Sequence, residues 1–497
     1  MQALAGTSLA RQTVRSAVWS ITAGFASRAI GLIGTLVITR FIAPAEYGEV
    51  TIAAVMVLTA SQVSTLGFGQ YLIATPSAGR EVAFHATVYH VVLGAIVLGL
   101  LFWLGRPLGP LLDAPAAARF LPGLIVSGLL DRIYYIPERI LVRDMRFGIV
   151  SAERTAGDVA YTVGSLWLAL LGWGGMAIVI GNVARSLIRT AIVCVAANWR
   201  DWVSTGPIKW SVTRQLFWFG LPISGAALAS FAARRWDNFF VAKFFGPSTT
   251  GMYNLAYNLA DVPAMQIGEQ VGDVLVPSFA RMDAERRKTA LVRSITLLGL
   301  VVFPLAVGLG AVAHTLVAVL FDPRWQPVAP MLVLLSALSV TRPVGWVVAS
   351  YLQARHLPRA LMWLELFKLV VLLAAIVTIG RGSALWTCAA VGFGFAVHML
   401  ACLWVIKKSD GIPLRSLLTS VSAPLIACVP LALSVLGARH LVMALGGLPP
   451  LPLLVLEIVI GALVYIGAAL VFAREASREL VARVRDALQR RSGRPAT

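Results

Sequence analysis

Long apolar runs separated by short turns rich in glycine, proline and arginine fill the chain from residue 16 to residue 473. Wound as α-helix, runs of roughly twenty residues match the ~30 Å hydrocarbon core of a bilayer. The pattern predicts about fourteen transmembrane helices. They lie near residues 16 to 38, 50 to 70, 85 to 105, 119 to 137, 149 to 171, 174 to 196, 214 to 236, 251 to 278, 291 to 312, 328 to 351, 360 to 380, 383 to 406, 416 to 437 and 451 to 473. Arg11 and Arg15 before the first run mimic a secretory signal. That run is too long for one, carries Arg28 in its middle and is followed by many more spans, so it reads as a retained helix.

Composition supports the same class. Of 497 residues, 58% are hydrophobic and 13% charged, and the mean hydropathy is +0.80; soluble domains are about a quarter charged. The chain is expected to be an all-α polytopic membrane protein. Its net charge of +19 would suggest nucleic acid in a soluble protein, but here the distribution decides. With the N-terminus in the cytoplasm, about 25 of the 42 Lys and Arg fall on that side and about 7 on the other, as the positive-inside rule expects. Both termini are then cytoplasmic, and no nucleic-acid partner is expected. The inner side holds Arg281, Arg286, Arg287, Lys288, Lys407, Lys408 and a basic tail. That tail places Leu480, Val484 and Leu488 at helical spacing, which suits either an amphipathic helix on anionic lipid or a solvated helix. Cys194, Cys388, Cys402 and Cys428 lie in apolar runs without CxxC pairing and read as small buried hydrophobes. No pair among the six histidines has metal-ligand spacing, and no cofactor is expected.

The chain repeats itself. RFIAPAEYG (40 to 48) returns as KFFGPSTTG (243 to 251), each after an apolar run, and each is expected at the outer turn between two spans. Further on, Arg143 and Glu153 correspond to Arg355 and Glu365, and GWGG (172 to 175) to GRGS (380 to 383). Six spans per copy is an even number, so the copies enter the membrane from the same side as parallel repeats with a cleft between them. The expected organisation is an N-lobe over 1 to 196, an interfacial linker over 197 to 213 with Trp199, Trp202 and Trp210, a C-lobe over 214 to 406, two appended spans over 407 to 473 and a basic tail over 474 to 497. Pro44, Gly48, Pro247 and Gly251 read as tight-turn residues.

Several charges fall inside apolar runs. Arg28 lies on a stripe with Ser20, Gly24, Gly31 and Thr35. Arg234 and Arg235 end the seventh span just before Asp237 and Asn238, Arg342 lies mid-way along the tenth beside Pro343, and Arg132 nears the inner end of the fourth. A lone arginine at the bilayer centre costs about 2.5–3.5 kcal/mol on insertion scales, so together these would cost about 10 kcal/mol facing lipid. They are expected to face the cleft. Local pairing is available to some: Asp131 beside Arg132, Asp158 one turn from Arg154, Asp237 near Arg235. Arg28 and Arg342 have no acidic neighbour within a turn, so their partner must come from another helix or from a ligand. In the eighth span Asn254, Asn258 and Asp261 share a face, Pro263 kinks the helix, and Glu269 and Asp273 follow. These carboxylates either carry protons or bind a cation such as sodium, supplying coupling, or they neutralise the arginines. Unpaired guanidinium implies an anionic substrate such as a phosphorylated lipid.

GMYNLAYNLADVPAM (251 to 265), VLVPSFARMD (274 to 283), FDPRW (321 to 325), RFIAPAEYGEV and TLGFGQYLI (65 to 73) are similar to segments of the polysaccharide exporters typified by the colanic acid and teichuronic acid translocases. The resemblance covers roughly residues 10 to 410. These exporters are of the Wzx type, within the multidrug, oligosaccharidyl-lipid and polysaccharide exporter superfamily. The resemblance implies two six-helix lobes, alternating access and movement of an undecaprenyl-diphosphate-linked oligosaccharide to the periplasmic leaflet, beside a polysaccharide polymerase and chain-length machinery. The family keeps cationic residues in its central cavity, and by position Arg28, Arg234, Arg235 and Arg342 are the candidates for them here. The two extra spans resemble those of the related lipid II flippase, where they form a groove for the lipid tail. A polymerase or ligase would need a sizeable extracytoplasmic region, which the short outer loops lack. A drug exporter would need a carboxylate-dominated site. GLGAV (308 to 312) and GFGQ (67 to 70) neither follow a strand nor continue into GK[ST], so they read as helix-packing glycines.

Overall fold

Proline starts many of the helices. It stands in the first turn of Pro44–Ser64, Leu121–Arg143, Arg342–Ala354, Pro358–Thr378 and Pro450–Phe472, where its missing N–H would be unpaired anyway. The computed structural model describes residues 34, 37–75, 78–203 and 206–491, without the side chains of 262–274, 358 and 483–491. Every regular element among the described residues is helical. In chain order they are α1 Pro44–Ser64, α2 Phe68–Ala74, α3 Arg80–Leu111, α4 Leu121–Arg143, α5 Phe147–Leu170, α6 Gly175–Ala196, α7 Trp210–Arg235, α8 Asp237–Ala280, α9 Ala284–Leu320, α10 Val328–Leu338, α11 Arg342–Ala354, α12 Pro358–Thr378, α13 Ala384–Asp410, α14 Leu414–Ala444, α15 Pro450–Phe472 and α16 Arg474–Arg491.

A helix covers each expected span from residues 50 to 70 onward, while most of the first, with Arg28, lies outside the described residues. Among the described residues nine spans are long and apolar enough to cross a membrane, or ten if α1 and α2, bent by 52°, count as one. Helices α4 and α5 do not qualify, because α4 carries Asp131, Arg132, Glu138 and Arg139 and α5 carries Glu153, Arg154 and Asp158. α7 and the start of α8 qualify together as one stretch, Trp210–Asp261, rather than as two spans with a loop.

The chain divides into two compact units, Met1–Gly251 and Met252–Thr497. In the first, Ile52, Leu98, Phe120 and Val179 belong to one buried apolar cluster. The repeated stretches meet inside this unit. Pro44 opens α1, and Pro247 follows Gly246, whose φ of 77° breaks α8 where a tight outer turn between two spans was expected. A Cβ on Gly48 would lie 1.8 Å from the Pro247 carbonyl oxygen, and one on Gly251 would lie 2.2 Å from that of Pro44. These glycines are therefore more than turn residues: they let two backbones cross in contact. A second crossing puts Gly220 of α7 against the bend between α1 and α2, where Gly67 has a φ of 64° and a Cβ on Gly220 would sit 1.8 Å from the Leu66 carbonyl oxygen. Ser224 Oγ donates to the Thr65 carbonyl beside it, at 2.8 Å.

The linker is pinned to α3. Buried His85 donates through Nδ1 to the Glu81 carbonyl at 2.7 Å, which leaves Nε2 to accept the Lys209 amide at 2.7 Å. Lys209 also pairs with Glu81 at 2.9 Å, and Tyr89 bonds Thr213 at 2.7 Å. Trp199 and Trp210 are exposed, whereas Trp202 packs against the cluster of Tyr134, Leu141 and Val193.

In the second unit Phe303, Val347, Tyr351 and Leu403 form a core that continues into Leu417 and Cys428 of α14. Cys388, Cys402 and Cys428 are buried as free thiols and Cys194 is partly exposed. Tail helix α16 packs Ala476 and Leu480 on Leu300 and Ala469, and Arg293 pairs with Glu479 at 2.5 Å. Two helix ends share one turn geometry. Arg146 N donates to Leu141 O at 2.9 Å about a left-handed Met145 (φ 58°), and Leu357 N to Leu352 O at 3.0 Å about a left-handed His356 (φ 55°).

Candidate functional site

Pro343 has no N–H to give the carbonyl one turn back, so the expected tenth span is broken into α10, a 3-10 turn at Ser339–Thr341, and α11. The Arg342 amide closes that turn on the Ser339 carbonyl. Ser339 Oγ donates to the Ser336 carbonyl at 2.8 Å and Thr341 Oγ1 to the Leu338 carbonyl at 3.0 Å, filling acceptors that the break releases. The break presents Arg342, which is 7% exposed at its side chain and ion-paired with Asp261 of α8. Its guanidinium also lies 4.9 Å from the Tyr257 ring centroid and 4.4 Å from that of Phe395 in α13, a cation–π contact on each. Arg342 Nε is buried with no acceptor among the described residues.

Of the predicted polar face on α8, Asn258 Nδ2 donates to Asn254 Oδ1 at 2.9 Å, and Asp261 follows one turn on. The side chains of Glu269 and Asp273 lie outside the described residues, as does Arg28. Arg342 finds its partner on another helix. Tyr257 and Phe395 were not singled out by the sequence reading, although Tyr257 stands four residues before Asp261, on the face already marked as polar.

The other candidates lie in the first unit. Arg132, 4% exposed, donates to Thr65 Oγ1 at 2.7 Å and to His90 Nε2 at 3.3 Å, and its aliphatic stem fills the space beside Gly94. Arg234 is exposed and Arg235 half-buried. Asp237 Oδ1 accepts from the Asn238 amide and side chain at 2.9 and 3.0 Å.

Arg154 departs from the expected pairing. It bonds Glu138 at 2.8 Å, while Asp158 faces Arg185 at 3.8 Å. Buried Glu138 also takes Arg139 at 2.8 Å, and buried Glu153 takes Arg189 at 2.6 Å. Arg189 and Arg185 in turn lie over the rings of Tyr134 and Tyr161 at 4.7 and 4.8 Å. This ladder joins α4, α5 and α6 and supplies the partners that their charges need away from water.

A further buried charge lies in the appended helices. Glu457 of α15 accepts from Arg439 of α14 at 2.7 Å and from Thr315 of α9 at 3.0 Å, and Arg439 also donates to the Ala311 carbonyl at 2.7 Å.

Residues 37–330 match the family model described as "Polysaccharide biosynthesis protein". The chain belongs to this family. Among curated relatives, it is 26% identical over 442 residues to the succinoglycan biosynthesis transport protein ExoT of Rhizobium meliloti (strain 1021), covering 86% of each chain. It is 24% identical over 378 residues to the lipopolysaccharide biosynthesis protein WzxC of Escherichia coli (strain K12), covering 75% of this chain and 76% of that one. Among solved structures, the lipid II flippase MurJ in an inward-closed conformation superposes with a TM-score of 0.72 at 12% identity, over 92% of this chain and 99% of its own. The fold is thus of the MurJ type, and the protein is a Wzx-type membrane transporter, not an enzyme. Within the family match lie the α8 face and the carboxylate ladder; Arg342 stands beyond its end.

Proposed function

We propose that the protein is a lipid-linked oligosaccharide flippase. It moves an undecaprenyl-diphosphate-linked glycan repeat unit from the cytoplasmic to the periplasmic leaflet by alternating access, for surface or exopolysaccharide synthesis. On this reading about fourteen helices span the inner membrane, as two parallel six-helix repeats and two appended helices, with both termini in the cytoplasm. Support comes from the family, from the flippase fold, and from the common turn at Met145 and His356, which a duplicated unit would carry twice.

The observation that carries the proposal is Arg342. A guanidinium offers five donors in a fixed fork; here one carboxylate and two rings hold it, and buried Nε is left over. A diphosphate needs that residual capacity and competes with Asp261 for the rest. A lipophilic cation would instead meet a carboxylate already neutralised, which disfavours a drug-export role. On the same reading Arg28, Arg132, Arg234 and Arg235 are the further substrate-binding candidates. Asp261, with Glu269 and Asp273, would carry the coupling proton or sodium ion.

Cells making the partner polysaccharide and depleted of this protein test the proposal. Full-length repeat units held on the cytoplasmic leaflet are expected. Unpolymerised units on the periplasmic leaflet would instead mean that translocation is intact and would transfer the role to polymerisation or ligation.

A further inference from the structure

The ends of α9, α14, α15 and α16 border an open groove of about 680 Å³ that shares no residue with the Arg342 site. Arg415, at the start of α14, and Arg474, which opens α16, both line it. Neither has an ion pair or side-chain hydrogen bond among the described residues, although arginine in a cavity ordinarily finds a carboxylate. The one carboxylate in the lining is Glu475, so the wall carries a net single positive charge. Thr296, Ser416 and Thr419 add hydroxyls, and α14 follows Pro413 without a side-chain cap, leaving the Leu414 and Arg415 amides without a helical acceptor. The lining also includes Val471 and Phe472 at the end of α15, exposed by 73% and 50%. A second groove of about 470 Å³ adjoins through Val292, Pro413 and Ser416, and its Lys288 and Arg293 are already paired with Glu285 and Glu479.

We propose that this groove binds the head group of an anionic glycerophospholipid, with Arg415 and Arg474 on the phosphodiester and Val471 and Phe472 against the acyl chain. Three features fit together. Guanidinium matches phosphate in geometry and charge. A net charge of one suits a phosphodiester better than a diphosphate. The apolar pair Val471 and Phe472, where a membrane span ends, stands where an acyl chain leaves its head group. Such a lipid would tie the appended helices and α16 to the membrane surface, and the assignment does not depend on the transport proposal.

The test uses the full-length protein in nanodiscs of phosphatidylcholine, with acyl-labelled phosphatidylglycerol as probe. Replacing both arginines (Arg415→Gln with Arg474→Gln) is expected to weaken phosphatidylglycerol binding by about tenfold or more, each single substitution by about threefold. Glu475→Gln is expected to tighten it, and Lys407→Gln with Lys408→Gln, outside the groove, to change it less than about twofold. The single substitutions decide the matter if the double variant does not fold. Unchanged binding in these variants overturns the proposal. So does displacement of the probe by millimolar inorganic phosphate, which would mark a free-phosphate site, or by equimolar undecaprenyl diphosphate, which would make the groove part of the substrate path.

Discussion

Arg342 and Asp261 stand 81 positions apart in the chain and form one ion pair inside the second unit, with the guanidinium held between Tyr257 and Phe395. The pair comes from different helices, so it ties α11 to α8. Removing one partner of such a pair leaves an uncompensated buried charge, at a cost of about 3–5 kcal/mol. Arg342→Ala should therefore lower the unfolding midpoint and abolish transport. Adding Asp261→Asn to Arg342→Gln should restore much of the midpoint without transport. Thermal unfolding and a leaflet assay on the same three preparations separate the two effects.

The two Pro-x-x-x-Gly stretches make a second prediction. Because a Cβ at Gly48 or Gly251 would fall within 1.8 or 2.2 Å of a backbone oxygen, neither position accommodates even alanine without opening the crossing. Gly48→Ala is expected to cost about 1–3 kcal/mol, and the double change with Gly251→Ala distinctly less than the sum, since one opening relieves both clashes. Melting of the single and double variants checks this; strict additivity would mean that the glycines act apart.

These cases show what the sequence carries. Helix positions were legible because hydropathy is local: each expected segment from the second onward falls on one helix or, for the second and tenth, on two. Buried charges were legible as charges, but their partners were not. Helical spacing offered Asp158 to Arg154, whereas tertiary packing gives Arg154 to Glu138 and Asp158 to Arg185. Nothing in a linear pattern brings Phe395 to Arg342. The repeat of proline and glycine was plain, yet a turn explains each copy alone, and only the fold reveals that they touch.

The appended helices had no recognisable motif, and their anchor is the buried Glu457. Glu457→Ala would strand Arg439 and is expected to cost about 3–5 kcal/mol, loosening α14 and α15 from α9. Hydrogen exchange should rise across residues 430 to 460 while the α4 to α6 ladder stays protected.

His85 fixes the linker through one ring nitrogen that donates and one that accepts. His85→Ala removes both bonds and leaves the Lys209 amide without its acceptor, a loss of about 1–3 kcal/mol locally. Faster exchange at residues 206 to 213 is the expected readout, with His85→Gln intermediate because its amide offers both a donor and an acceptor.

The central claim is that this protein moves a polyprenyl-diphosphate glycan across a bilayer with the help of Arg342. Its most direct test places purified protein in vesicles carrying that lipid on one leaflet and follows, with a membrane-impermeant sugar-modifying reagent, the appearance of glycan on the other. The account predicts protein-dependent transfer that is lost in a folded Arg342→Gln variant. Transfer at the wild-type rate in that variant would contradict the role of Arg342, and no transfer by the wild-type protein under any ion gradient would contradict the flippase itself.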